Sequence, residues 1–191
     1  MKTLFQITVL LSIFLIHCLS LPNGAYLIKS EQFNTYWDIC GNTKKCSHNP
    51  SNIFMNNLVG DSYQVFYINK LRNGYYTISS YFCDEGVAAI NSFIPSKSII
   101  LTRRDSSRLN QQFAFISNGK NSYVIRPRLS LGKVIEPPFE DNKGIFLNEN
   151  CGTDLQRFSF ELVDPDDLAL LQKKYKKKGS GSNINSKNYE T

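Results

Sequence analysis

Apolar positions along this chain fall in short runs broken by Gly, Asn, Pro and Ser. They do not recur at the three-to-four spacing of an amphipathic helix, so the pattern predicts strands. The runs also repeat. Gln64-Val65-Phe66, Gln111-Gln112-Phe113 and Gln156-Arg157-Phe158 are separated by 47 and 45 residues. Eleven residues before each Gln begins a further apolar strand: Ile53-Phe54-Met55-Asn56, Ile100-Leu101-Thr102-Arg103 and Ile145-Phe146-Leu147-Asn148. A third element opens each unit, Tyr26-Leu27-Ile28, Tyr76-Thr77-Ile78 and Tyr123-Val124-Ile125, after turn signals at Gly24, Gly74 and Asn121-Ser122. About four strands per unit and three units give about twelve strands with no long helix between them. The expected fold is all-β and pseudo-threefold, with each unit needing the other two to complete one core. Phe66, Phe113 and Phe158 are core residues by their periodicity, and Trp37, the single Trp, is expected to join them.

These repeats resemble the ricin B-type lectin domains, β-trefoils marked by three Gln-x-Trp repeats; here Phe stands for Trp in all three. The resemblance covers roughly residues 23 to 164. The period alone also suits growth-factor-like, cytokine-like and protease-inhibitor trefoils, and the Gln-x-aromatic signature separates them. The resemblance implies carbohydrate binding, with galactose or N-acetylgalactosamine as the expected sugar. A hexose offers vicinal hydroxyls to a carboxylate and to an amide that donates and accepts, and its C–H face stacks on a ring. In the family the carboxylate comes from an early strand, the ring from the next, and the amides from an Asn-Gln pair opening Gln-x-Trp.

In the first unit Tyr36-Trp37-Asp38-Ile39 matches the early strand, so Asp38 is the candidate carboxylate, Phe54 the ring and Gln64 the amide, with Tyr63 where Asn is usual. Strand alternation puts Asp38 on the face opposite Trp37 and Ile39, directed outward. The second unit has Ala89 for the carboxylate and Leu101 for the ring, and it is expected to be empty despite Asn110-Gln111. The third offers Glu136, Phe146 and Gln156, with Leu155 replacing Asn, as a weakened site. Independently of sugar, each of the three glutamines is expected to bridge backbone groups within its unit, since buried amides must find partners.

Residues 1–20 read as a secretory signal peptide: Lys2, an apolar stretch from Leu4 to Ile16, then Cys18-Leu19-Ser20 at the cleavage site. That stretch is short for a bilayer span and no second one follows, so the chain is not expected to span a membrane. Localisation is therefore expected to be extracellular, at a cell surface or in a wall. Four cysteines remain, Cys40, Cys46, Cys83 and Cys151. In a secreted chain an even number implies disulfides, and sequence proximity favours Cys40 with Cys46 and hence Cys83 with Cys151. The C-x5-C-x-H spacing of Cys40, Cys46 and His48 is not a zinc pattern, so no metal is expected.

Composition is that of a globular protein, 41% hydrophobic and 20% charged, and the net charge of +6 is unevenly placed. Residues 165–191 hold six Lys against three acids, whereas residues 21–164, the expected trefoil domain, hold fifteen basic against thirteen acidic side chains. Asp164-Pro165-Asp166-Asp167 forms a helix start. Beyond it Lys173, Lys174, Lys176, Lys177 and Lys178 surround Tyr175 and precede Gly179-Ser180-Gly181-Ser182, a flexible basic tail suited to sulfated or other anionic polymers. Arg103, Arg104 and Arg108 are the alternative basic surface, on the trefoil itself. Specific nucleic-acid recognition is not expected of a secreted chain with this charge placement. No nucleophile motif surrounds His48, no Gly-rich phosphate loop precedes a helix, and Glu136, Glu140 and Asp141 flank a Pro-Pro loop without defining a glycosidase pair. The expectation is a non-enzymatic lectin-like protein binding glycans or glycoproteins without a cofactor. The alternative is a structural coat, spore-wall or adhesion protein whose trefoil has lost its sugar site.

Overall fold

The computed structural model describes residues 20–39, 51–60, 62–82, 86–91, 98–105, 107–119, 121–130, 132–139 and 144–170. The expected signal segment up to residue 19, Cys40, Cys46, Cys83 and the five tail lysines lie outside these residues. Twelve strands form: β1 (Gly24–Ser30), β2 (Tyr36–Ile39), β3 (Ser51–Asn56), β4 (Val65–Lys70), β5 (Tyr76–Ser80), β6 (Gly86–Ile90), β7 (Ile99–Arg103), β8 (Phe113–Ser117), β9 (Ser122–Pro127), β10 (Lys133–Glu136), β11 (Phe146–Glu149) and β12 (Arg157–Leu162). A 3₁₀ turn ends on each repeated glutamine: Ser62–Gln64, Leu109–Gln111 and Asp154–Gln156.

Strands β1, β4, β5, β8, β9 and β12 pair antiparallel in that order, and β12 returns to β1 through Tyr26↔Leu162 to Ser30↔Phe158. The ring is closed, which removes the exposed edges an open sheet would carry. Strands β2–β3, β6–β7 and β10–β11 form three hairpins that cap one end. Their centre is a triangle of fully buried isoleucines, Ile53, Ile99 and Ile145: the Ile99 N–H donates to the Ile145 carbonyl at 3.0 Å and the Ile145 N–H to the Ile53 carbonyl at 2.8 Å. This is the all-β trefoil the repeats predict. One register differs. The equivalent of Ile53 and Ile145 is Ile99 and not Ile100, because the second unit carries one extra residue between its apolar strand and Gln111.

The core follows the same symmetry with one deliberate break. Phe66, Phe113 and Phe158 are fully buried, as are Ile28, Ile78 and Ile125 from the barrel strands. Hairpin register makes Trp37, Ala88 and Ile135 equivalent, facing Met55, Leu101 and Leu147. The volume is distributed unequally: Trp37 meets the Phe66 and Phe158 rings edge-on at 5.8 and 6.0 Å, and Ala88 leaves room for it. Its indole nitrogen is buried without a hydrogen-bond partner among the described residues, so what the side chain contributes is packing.

Away from the hairpins, Tyr26, Tyr76 and Tyr123 converge near the starts of β1, β5 and β9, packed with Phe115 and Phe160. The Tyr26 hydroxyl donates to the Pro22 carbonyl at 3.0 Å. Leu21 is buried, so residues 21 and 22 cover this end of the barrel. After β12 the chain turns into a helix over 165–170, where Asp164 Oδ1 accepts from the Asp166 N–H at 2.8 Å, the N-cap the sequence predicts. No helix among the described residues is long and apolar enough to cross a membrane.

Two predictions follow from this packing. Replacing Trp37 by Ala should lower unfolding free energy by about 3–5 kcal/mol, while Trp37→Phe should cost clearly less; urea denaturation reads both. Burial first, and neighbouring phenols second for Tyr26 and Tyr76, raise the pKa of all three tyrosines above the ordinary 10.0. The folded state therefore resists their ionisation while the unfolded chain does not. Their contribution is complete below pH 10 and falls as pH rises through the raised values, so melting temperature should drop above about pH 10. The triple variant Tyr26→Phe/Tyr76→Phe/Tyr123→Phe should show a shallower drop over pH 9–11.

Candidate functional site

Each repeated glutamine is buried and clamps the loop that follows a cap strand. Gln64 Nε2 donates to the Asn57 carbonyl and its Oε1 accepts from the Val59 N–H, both at 2.8 Å. Gln111 holds the Arg103 carbonyl at 2.8 Å and the Asp105 N–H at 2.9 Å, and Gln156 holds the Glu149 carbonyl at 2.6 Å and the Cys151 N–H at 3.0 Å. The backbone-bridging role expected of the three is what they perform. It also locates the extra residue of the second unit, which falls between Asp105 and Gln111.

The hairpins place Asp38 opposite Phe54, Ala89 opposite Ile100 and Glu136 opposite Phe146. The carboxylate positions read from the sequence are therefore equivalent in space. The ring position of the second unit is corrected from Leu101 to Ile100, the consequence of the one-residue difference. Neither Ala89 nor Ile100 offers an acceptor or a ring, and Asn110 spends its amide on the Ile90 carbonyl at 3.3 Å.

In the first unit Asp38 is only 6% exposed and does not point outward. Strict alternation fails because all four residues of β2 are buried, the strand being covered on both faces. Phe54 is half-buried, and an isolated bridge joins it to Gly144 of the third unit. Gly144 passes so close that a Cβ there would sit 3.3 Å from the Asn52 side chain. Tyr63 packs its ring on Phe82 at 4.4 Å, at the margin of the core. Asp38 and Phe54 are thus brought together, with Gln64 setting the adjoining loop.

The third unit uses its carboxylate differently. Glu136 is 4% exposed; its Oε2 accepts from Gln156 Nε2 at 2.8 Å and its Oε1 from Asn148 Nδ2 at 3.1 Å. The amides that would meet a hexose hydroxyl are already bonded to the acid, and Phe146 is half-buried beside them. Asn148 was not singled out as a functional residue from the sequence, although it ends the same apolar segment as its equivalent Asn56.

Cys151 is exposed; its Sγ donates to the Glu149 carbonyl at 3.2 Å and its N–H to Gln156 Oε1 at 3.0 Å, while Cys83, its expected partner, lies outside the described residues. Among the described residues no cluster of His, Cys, Asp and Glu could hold a metal.

The clamp on Glu136 makes a prediction. Glu136→Ala would remove the acceptor shared by the buried Gln156 amide, which keeps the Glu149 carbonyl, and the half-buried Asn148 amide, and should destabilise the fold by about 1–3 kcal/mol in urea denaturation. An unchanged midpoint would show that the pair contributes nothing.

Neither a protein-family model nor a curated protein sequence matches this chain. Solved structures do. A designed threefold-symmetric protein, ThreeFoil, superposes with a TM-score of 0.64 at 19% identity over 73% of this chain and 99% of its own. The Rhizoctonia solani agglutinin gives 0.62 at 15% identity over 76% and 99%. The Macrolepiota procera ricin B-like lectin, solved in complex with lactose, gives 0.58 at 12% identity over 75% and 99%. Glycosidases also match, but there the chain spans only about a third of their length, 30% and 33%. At these identities the likeness is one of fold, and the fold is a β-trefoil.

Proposed function

We propose that this protein is a secreted, non-enzymatic glycan-binding protein whose sugar site lies in the first unit. The observation that carries this reading is the placement of Asp38 directly opposite half-buried Phe54 across the β2–β3 hairpin of a lectin-like trefoil. A carboxylate and an aromatic ring are the two groups a hexose needs for its hydroxyls and its C–H face. The second unit lacks both, and the third carries the longer Glu136 opposite Phe146, the weaker match to the pattern. A galactose-type ligand is supported by the lactose-bound lectin of the same fold. Secretion rests on the pattern of residues 1–20. The tail lysines would add salt-sensitive attraction for sulfated or other anionic polymers.

A second reading is favoured by one specific observation, the inward use of Glu136 and the loss of the acid at Ala89: the trefoil serves as a structural coat or adhesion module without sugar recognition. A glycan array on the mature protein separates the two. Binding should appear, and Asp38→Asn, which keeps the side-chain volume, should weaken it about tenfold or more, the size of a lost charge-assisted hydrogen bond. Phe54→Ala should weaken it as well. Silence across the array would overturn the sugar-binding reading, and native binding by Asp38→Asn would move the site elsewhere.

A further inference from the structure

In the first cap hairpin Trp37, Ile39, Ile53 and Met55 alternate toward the core, which leaves Asp38, Phe54 and Asn52 together on the other side. That side is covered at one end and open at the other. Asp38 is buried, Phe54 half-buried and Asn52 exposed. Two steps of β3 separate Asn52 from Phe54, about 6.6 Å at the usual rise of a strand.

The third unit shapes the open end. Its Gly144 lies opposite Phe54 in the isolated bridge, so a side chain at 144 would stand on the same side as Asn52 and the Phe54 ring. A Cβ there would lie 3.3 Å from the Asn52 Cβ and 3.5 Å from its Cγ. Gly144 is not among the glycines of positive φ, so space and not backbone conformation calls for glycine here. The Asn52 amide that this gap leaves uncovered makes no hydrogen bond among the described residues. The second unit is built differently: the residue paired with its ring position, buried Ile100, is Asn52 itself. The first unit thus sets a half-buried ring beside a glycine gap and an uncommitted amide.

We propose that Asn52 and the gap at Gly144 form a second subsite, which takes the next ring of an oligosaccharide whose first ring lies on Asp38 and Phe54. The proposal rests on the glycan-binding reading above and narrows its ligand to a disaccharide or longer chain. The amide donates through Nδ2 and accepts through Oδ1, as a sugar hydroxyl also does. Because Asn52 is exposed, its amide exchanges water for sugar, and the gain is that of one net hydrogen bond. That is enough to choose between ligands and too little to hold one alone. Asn52 is therefore a specificity-determining residue, and Gly144 keeps its amide accessible.

The test titrates the full chain with galactose and with lactose by calorimetry. Lactose should bind about fivefold more tightly, the size of one net hydrogen bond. Asn52→Ala keeps the Cβ and its packing; it should bring lactose down to the affinity of galactose while leaving galactose binding and the melting temperature at their native values. Gly144→Ala should remove the preference too, by filling the gap, with a small loss of melting temperature. Equal affinity of the native chain for the two sugars, or a preference for lactose that survives Asn52→Ala, would overturn the subsite. In either case galactose binding that Asp38→Asn weakens would leave the first-unit site standing. Binding of neither sugar would sink that site and the subsite together.

Discussion

Each repeat unit buries one glutamine amide, and burial obliges that amide to find both a donor and an acceptor. Gln64, Gln111 and Gln156 find them in the same place, the carbonyl and N–H of the loop that leaves each cap strand. With its backbone polar groups satisfied from inside, the loop does not depend on one particular side chain at its outward positions. That is why equivalent positions can be apolar at Leu58, basic at Arg104 and polar at Asn150 without altering the fold. The second unit even accommodates an extra residue before Gln111, because the clamp grips the loop at Arg103 and Asp105, ahead of the insertion.

Closure of the barrel supplies the second constraint. Six strands meeting in a ring leave no edge, but they require three sets of side chains to fill one interior. The sets at Phe66, Phe113 and Phe158 are uniform, whereas Trp37, Ala88 and Ile135 share their space unequally. The bulkiest of them, Trp37, adjoins Asp38 in the chain and is fully buried. A site whose supporting shell is locked in this way is held to one geometry.

Much of this was legible in the sequence because the period was. The Gln-x-Phe recurrence located all three clamps and the aromatic core, and the resemblance to the ricin B-type pattern pointed to Asp38, Ala89 and Glu136, which the hairpins place at equivalent positions. Three things were not legible, each for a physical reason. The extra residue in the second unit is invisible to a comparison anchored on Gln111, and it shifted Ile99 and Ile100 by one. The burial of Asp38 contradicts alternation because β2 lies covered on both faces, a tertiary circumstance. The fate of Glu136 depended on Asn148 and Gln156 reaching it from other elements. The closure of the barrel by Leu21 and Pro22 is equally a matter of packing that no local pattern announces.

The central claim is that the first unit, and not its two sisters, meets a neutral sugar. A two-dimensional amide NMR titration of the full chain with lactose tests it most directly, since equivalent residues of all three units are observed in one experiment. The account predicts saturable shifts concentrated at Asp38, Phe54, Tyr63 and Gln64, with Ala89, Ile100, Glu136 and Phe146 unmoved. Shifts confined to the second or third unit, or none at any lactose concentration, would contradict it.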